Sequence, residues 1–143
     1  MTQSLGTIGP QDLLKMIEGR SDAEILTRFT ELGVDSALDR VFEGMTEAFL
    51  PEKAGKDSAV IQWDLMTPDG PRVYQLVVEN GKCSYNRDSL GKPRVSLKIA
   101  IPDFLRLITG KLNGLQAFFT GKLKVGGDVL FAQQQEKWFQ KPS

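Results

Sequence analysis

The chain has 143 residues, of which 41% are hydrophobic and 25% charged, and its 18 basic and 18 acidic residues give a formal net charge of +0. This composition is typical of one globular domain and argues against a general nucleic-acid binder, which would carry a basic surplus. The sequence contains no histidine and one cysteine, Cys83, which excludes an intramolecular disulfide, a multi-cysteine zinc site and histidine-based activation of a nucleophile.

Amphipathic helices are predicted at the start of the chain. Residues 10–18 and 22–32 each place apolar side chains on one face, and a polar residue just before the second helix can cap it. Residues 34–50 show the clearest helical pattern, and Pro51 marks its end. The apolar residues at helical spacing in this third helix are Val34, Leu38, Val41, Phe42, Met45 and Phe49.

Strands are predicted next. Residues 59–66 alternate between apolar and polar side chains, whereas residues 73–79 are partly apolar on both faces, as in an interior strand. Strands over residues 82–87 and 95–101 follow. Asn80–Gly81 indicates a tight hairpin, because a type I′ turn requires positive φ at both central residues. Consecutive hairpins predict that this part of the sheet is antiparallel.

The sequence Thr-Gly-Lys-Leu occurs twice, at residues 109–112 and 120–123. A phosphate-binding loop requires G-x-x-x-x-G-K-[ST] between a strand and a helix, but here leucine follows both lysines and a helix precedes each. We therefore reject a phosphate-binding loop and interpret the two glycines as the ends of two short helices, the second capped by Asn113. A strand over residues 122–125, a Gly-Gly-Asp turn and a helix to about residue 140 complete the chain.

The two short helices carry more large apolar side chains than helices of their length need for their own stability. Such side chains are usually core, but short, loosely tethered helices can also cover an apolar cavity. Periodicity does not choose between these two interpretations. The residues concerned are Phe104, Leu107, Ile108, Leu112, Leu115, Phe118 and Phe119.

Residues 49–65, 80–83 and 103–128 resemble the lipid-binding domain of the sterol carrier protein family, type two. The most specific part is the doubled Thr-Gly-Lys-Leu around an aromatic pair, closed by Gly-Gly-Asp. The resemblance covers residues 34–143 and implies an α/β fold, in which a mostly antiparallel five-stranded sheet has helices on one face and encloses a hydrophobic tunnel. Residues 1–33 are then an N-terminal helical extension.

The resemblance also implies a non-catalytic protein that binds and transfers a fatty acid, a fatty acyl-CoA, a sterol or a similar lipid, without a cofactor or a metal. The expected tunnel walls come from the third helix, the short helices, the inward faces of the strands and the last helix. The expected wall residues are Val41, Phe42, Met45, Trp63, Leu97, Ile99, Phe104, Leu107, Ile108, Phe118, Phe119, Leu123, Phe131 and Gln133.

The last helix departs from the family pattern, because Gln133, Gln134 and Gln135 follow its apolar first turn. A buried amide without a partner costs about 1–3 kcal/mol, so an inward glutamine needs a partner. Two hypotheses remain open. Either one of the three glutamines lines a polar end of the cavity and binds water or a head group, or the triplet is a solvated helix face.

Other functions compete with lipid transport. The protein could be an interaction or dimerisation module with a dry core, or an accessory subunit of a lipid-metabolising enzyme. The N-terminal extension is then a lid, a homodimer contact or a simple cover. Without histidine we expect no enzymatic activity. The absence of a long apolar run and of a secretory signal predicts a cytoplasmic protein with at most transient membrane contact.

Overall fold

A computed structural model of the protein describes residues 10–87 and 91–141. Residues 1–9 of the expected N-terminal extension lie outside this part. Within it, the elements in chain order are α1 (Pro10–Ile17), α2 (Asp22–Leu32), α3 (Val34–Glu47), α4 (Pro51–Ala54), β1 (Ala59–Thr67), β2 (Gly70–Glu79), β3 (Lys82–Asn86), β4 (Val95–Ala100), α5 (Ile101–Ile108), α6 (Gly114–Phe119), β5 (Lys124–Gly127), α7 (Val129–Gln134) and a 3₁₀ turn (Gln135–Trp138).

The strands form a five-stranded sheet in the order β3-β2-β1-β4-β5. The predicted α/β fold with a mostly antiparallel sheet is confirmed, and β2 is an interior strand as expected. The exception is β4, which pairs with β1 in parallel, with Trp63 opposite Leu97. The prediction of consecutive hairpins is therefore wrong for β4, because the chain passes from β3 at one edge to the far side of β1. This pairing places the inward apolar residues of β1 and β4 side by side.

Helices α3, α5 and α7 pack on one face of the sheet, as predicted. An aromatic stack joins the two layers: Phe42 of α3 lies parallel to Tyr74 of β2, with ring centroids 4.2 Å apart, and 5.6 Å from Phe104 of α5. Phe104 in turn meets the Trp63 ring edge-on at 4.9 Å. Phe42 is fully buried, which contributes about 1.5–3 kcal/mol to stability.

The N-terminal helices belong to the same core. Leu13 and Ile17 of α1 and Ile25 and Phe29 of α2 are buried, because α1 packs on α5 while α2 packs on α3 and α5. Ser21 caps α2, since its hydroxyl accepts a hydrogen bond from the backbone of the third helical residue. The extension therefore covers α3 and α5 within one chain, and a homodimer through these helices stays a prediction.

The predicted turn signals are confirmed. Asn80 and Gly81 have φ angles of 53° and 73°, which are the positive values that a type I′ turn requires. Gly110 and Gly121 follow the last turns of α5 and α6, also at positive φ. The side chain of Asn113 accepts a hydrogen bond from the backbone of Gln116 and so caps α6.

The end of α3 differs from the prediction. The helix ends at Glu47, and Pro51 begins α4. Proline is well tolerated there, because an N–H at the first helical position would not form an intrahelical hydrogen bond. The intervening residues pair with the C-terminal segment instead. The Leu50 N–H donates to the Trp138 carbonyl at 2.6 Å, and Phe49 forms a β-bridge with Phe139.

The same pairing ends the last helix early. Helix α7 stops at Gln134 and tightens into the 3₁₀ turn instead of continuing to residue 140. The preceding strand, β5, spans Lys124–Gly127 instead of residues 122–125. Its glycines permit close pairing with β4, because a Cβ at Gly126 would lie 2.6 Å from Ser96 Oγ.

Asp39 connects α3 with the β2–β3 edge of the sheet. Its Oδ1 accepts hydrogen bonds from the Tyr74 hydroxyl at 2.7 Å and from Arg87 Nε at 2.8 Å, and Arg87 Nη2 donates to its other oxygen. Burial alone would raise the pKa of Asp39, but the hydrogen bonds from Arg87 and Tyr74 outweigh it and hold the pKa below its usual value. The carboxylate form of Asp39 therefore stabilises the folded state.

We predict that Asp39→Asn lowers the free energy of unfolding at pH 7 by about 1–2 kcal/mol, because it weakens charged hydrogen bonds. Since the folded pKa lies below the unfolded one, this contribution is present above pH ~4 and disappears as the pH falls through the folded pKa. Urea unfolding from pH 7 to pH 2 measures it. Asp35→Asn, which removes the exposed pair with Arg72, is the control and should cost about 0.5 kcal/mol or less. Equal losses for both variants would contradict the assignment.

Candidate binding cavity

A first cavity lies between α1, α3, α5 and the C-terminal residues 135–141. Its empty volume, including the open mouth, is about 560 Å³. The walls toward α3 and α5 are apolar, whereas the exposed residues Gln140 and Lys141 lie on the open side. The first cavity can therefore hold an apolar chain with a polar end near Lys141.

A second cavity lies between α5, α6, α7 and strands β4 and β5. Its empty volume, again including the mouth, is about 870 Å³. Leu97 and Leu123 form its buried wall, and the partly exposed Leu115, Phe118 and Val129 line its open side. Helix α6 thus covers this space, whereas α5 packs on the sheet.

Four residues line both cavities, and we call them the waist: Trp63, Leu107, Gln135 and Glu136. Strand β1 supplies the tryptophan, α5 supplies the leucine, and the 3₁₀ turn supplies the two polar residues. Because the two cavities share these four residues, they lie next to each other between the sheet and its helices. Three of the four waist residues carry polar groups, so this shared wall is less apolar than the walls that α3 and β4 form.

Most of the wall residues expected from the sequence lie at these cavities. The first cavity is lined by Val41, Met45 and Ile108, the second by Leu97, Phe118, Leu123 and Gln133, and both by Trp63 and Leu107. The structure places the other five elsewhere. Phe42, Ile99, Phe104 and Phe131 are at most 2% exposed and belong to the packed core, while Phe119 is 76% exposed.

The structure also brings in wall residues that the sequence analysis did not name. Leu13 comes from the N-terminal extension. Gly44 and Ala48 lie on the same face of α3 as Val41 and Met45, at spacings of three and four residues. These two small residues create space beside the sheet, and their helical spacing is a signal that the sequence contained.

The three glutamines differ in environment because the helix tightens at Gln135. Gln135 is 4% exposed, and its Nε2 donates to the Ala132 carbonyl at 3.2 Å. Gln133 is exposed at the second cavity, and Gln134 is exposed and lines neither cavity. An inward glutamine is therefore present, and it is Gln135, at the wall that the two cavities share.

Glu136 is the half-buried ionisable group of the waist. Burial raises its pKa, an effect that the charge of Lys141 partly offsets. Its carboxyl group lies over Gly114, where a Cβ would be 3.2 Å from Glu136 Cδ. Gly114 begins α6, so the absence of a side chain there lets α6 accommodate the carboxyl group.

Helices α6 and α7 carry five exposed apolar side chains, which we call the exposed apolar patch: Leu115, Phe118, Phe119, Val129 and Leu130. Leu115, Phe118 and Val129 also line the second cavity. Phe119 and Leu130 are 76% and 75% exposed. Lys122 and Lys124, between the helices that carry the patch, are exposed and form no ion pair with any residue of the described ranges. Arg106 and Lys111, by contrast, pair with Asp22 and Glu18 of the extension.

Two classes of feature are absent from residues 10–87 and 91–141. No helix in these ranges is long and apolar enough to cross a membrane. No group of three or more cysteine, aspartate or glutamate side chains within them is placed to hold a metal ion.

Comparison with known proteins identifies the family of this region. The sequence profile of the SCP-2 sterol transfer family matches residues 38–140. Hydroxysteroid dehydrogenase-like protein 2 from Mus musculus is 29% identical over 102 residues, which are 71% of this chain and 21% of that protein. The chain thus spans about a fifth of the length of this curated relative.

Solved structures share the fold. Sterol carrier protein 2 like 2 from Aedes aegypti aligns with a TM-score of 0.59 and 18% identity, over 76% of this chain and 97% of that one. The sec-alkylsulfatase Pisa1 from Pseudomonas sp. aligns with a TM-score of 0.67 and 22% identity, over 76% of this chain but 17% of that one. The same fold therefore occurs as a small protein and as a part of a larger chain.

We predict that Gly114→Ala changes stability little, because the cost of displacing the flexible Glu136 carboxyl group offsets the gain from restricting the unfolded chain. In a Glu136→Ala background the same change should stabilise by about 0.4–1 kcal/mol, since alanine restricts the unfolded chain more than glycine. A double-mutant cycle by urea unfolding measures the coupling. Equal effects in both backgrounds would show that the contact does not restrain α6.

Proposed function

Because the chain belongs to the SCP-2 sterol transfer family, we propose that it is a non-catalytic lipid carrier. It holds a fatty acid, a fatty acyl-CoA, a sterol or a similar lipid in the two cavities. The observation that carries this proposal is the pair of adjacent, mostly apolar cavities that share Trp63 and Leu107. An interaction module with a dry core would be expected to fill the space that Gly44 and Ala48 leave beside the sheet.

The expected affinity is suited to a carrier. Burying a chain of roughly sixteen carbons at about 0.8 kcal/mol per methylene contributes about 12 kcal/mol. Lost translational freedom and side-chain ordering cost about 4–15 kcal/mol. The balance corresponds to weak or micromolar binding, which allows the lipid to be released at its destination.

A second candidate function is that of an accessory lipid-binding module in a larger enzyme. It is favoured by the mouse relative and by Pisa1, in which the matching region is 21% and 17% of the chain. In that arrangement the cavities would hold a lipid substrate or product for a neighbouring catalytic domain. The two candidates share the lipid site and differ in whether lipid moves between membranes or between domains.

We divide the chain into a lipid-binding unit, residues 34–143, and an N-terminal extension, residues 1–33. The extension is proposed to act as a cover, since α1 packs on α5 and Leu13 reaches the first cavity. Its ion pairs, Arg106 with Asp22 and Lys111 with Glu18, hold the cover in place at the surface. Without it, α5 would expose the apolar residues that Leu13 and Ile17 bury.

A carrier must also meet membranes, and we place this transient contact at the exposed apolar patch. Phe119 and Leu130 can insert between lipids beside the mouth of the second cavity. Lys122 and Lys124 would lie near the lipid head groups and favour a membrane with negative charge. Asp128, which lies between Lys124 and Leu130 in the sequence, is already paired with Arg94 at 3.2 Å.

Filling the cavities tests the carrier function. We predict that Ala48→Phe in the first cavity and Ala132→Phe in the second each weaken lipid binding about tenfold or more, because the added ring occupies space needed by roughly four or more methylenes. Ser36→Phe, on the exposed face of α3, is the matched control and should bind like the wild type. Displacement of a fluorescent fatty acid and native mass spectrometry measure binding, and thermal unfolding confirms that each variant folds. Normal binding by both folded cavity variants would exclude the cavities as the lipid site.

Vesicle flotation tests the membrane contact. We predict that the protein floats with phosphatidylcholine vesicles containing phosphatidylserine and that Phe119→Ser with Leu130→Ser abolishes flotation. Met66→Ser, which removes an apolar side chain that is 47% exposed on the sheet, is the control and should leave flotation unchanged. Equal flotation of the double variant and the wild type would mean that membranes bind elsewhere.

A further inference from the structure

We infer that the waist is a polar subsite that binds an uncharged oxygen of the lipid, such as a hydroxyl, a ketone or an ester carbonyl. This inference rests on the proposed carrier function and specifies the ligand class. It predicts a lipid whose polar oxygen lies between two apolar portions, or whose neutral head group reaches the waist. Simple hydrocarbon chains would leave the hydrogen-bonding groups of the waist without a ligand partner.

The first observation is the indole of Trp63. Its ring is 2% exposed and lines both cavities, yet its Nε1–H has no hydrogen-bond partner among the described residues. A buried donor without an acceptor is costly and uncommon in native proteins. The side chain is also fixed in place, because Phe104 packs against it edge-on and β1 is flanked by β2 and β4. A ligand oxygen at the waist would satisfy this donor.

The second observation is the amide of Gln135, which is 4% exposed and lines both cavities. One hydrogen bond, from Nε2 to the Ala132 carbonyl, fixes its position. A glutamine amide has two N–H donors and one acceptor oxygen, so it can bind both a carbonyl and a hydroxyl group. Trp63 and Gln135 therefore bring donors to the waist from two different elements, strand β1 and the 3₁₀ turn.

The charged residues that line the cavities favour a neutral ligand oxygen over an anionic one at the waist. Glu136 also lines both cavities, so a lipid carboxylate at the waist would face another carboxylate. The raised pKa of Glu136, caused by burial, reflects the same unfavourable setting for negative charge. Lys141 lines the first cavity and Lys137 the second, so neither lysine belongs to the waist. An anionic head group would therefore lie near one of these lysines, and a neutral oxygen suits the waist.

The experiment compares ligands of equal chain length: hexadecane, 1-hexadecanol, methyl palmitate and palmitate, delivered from cyclodextrin to the ¹⁵N-labelled protein. We expect the indole N–H resonance of Trp63 to move downfield with hexadecanol and methyl palmitate, but not with hexadecane. Trp63→Phe, which keeps an aromatic ring and removes the donor, should weaken hexadecanol binding about tenfold more than it weakens hexadecane binding. Trp138→Phe, at a buried ring that lines neither cavity, assigns the resonances and is the control.

The outcomes separate the two proposals. If the wild type binds these lipids but Trp63→Phe lowers the affinity for hexadecane and hexadecanol equally, the polar subsite is wrong and the carrier function stands. An indole resonance that does not respond to bound hexadecanol also overturns the subsite, and it needs no variant, so misfolding of Trp63→Phe cannot obscure the result. If the wild type binds none of the four ligands, the carrier function fails and the subsite with it.

Discussion

The aromatic stack of Tyr74, Phe42, Phe104 and Trp63 sets the distance between the helices and the sheet. Phe42 of α3 is fully buried among these rings. Gly44 and Ala48, further along the same segment, are too small to fill the space beside them and line the first cavity. Trp63 belongs to both the stack and the cavities, so the close-packed rings form one rigid side of the cavities.

Much of the fold could be predicted from the sequence, because its elements depend on local patterns. Helical spacing located α1, α2 and α3, and the Asn80–Gly81 turn fixed the β2–β3 hairpin. The parallel partner of β1 could not be predicted in this way. The position of β4 depends on which strand edge of the sheet is open to it. The alternation of apolar and polar residues in β4 is the same whether it pairs with β1 or with β3. The early end of α3 could not be predicted from a local pattern either, because it depends on pairing with residues 138–140.

The candidate site was only partly predictable, for a physical reason. Phe104 and Leu107 lie one turn apart on α5, and both are buried. Phe104 packs against other aromatic rings, whereas Leu107 lines both cavities. Both residues fit the same apolar helical pattern, so the pattern does not distinguish them. The inward turn of Gln135 follows from the change of α7 to a 3₁₀ turn, which the tertiary pairing of the chain ends imposes. The resemblance implied most of the apolar wall residues and Trp63, but it did not imply that Gln135 and Glu136 line both cavities.

The parallel pairing of β1 with β4 has a consequence for the order of folding. Ile61 is opposite Val95, whereas the β1–β2 and β2–β3 pairs are closed by short turns. Closing a long loop costs more chain entropy than closing a hairpin, and such non-local contacts slow folding. We therefore expect the three-stranded meander to form first and β4 to dock late. Trp63, which lines both cavities, and Leu97, which lines the second, come together only at that step, so the second cavity is completed late in folding.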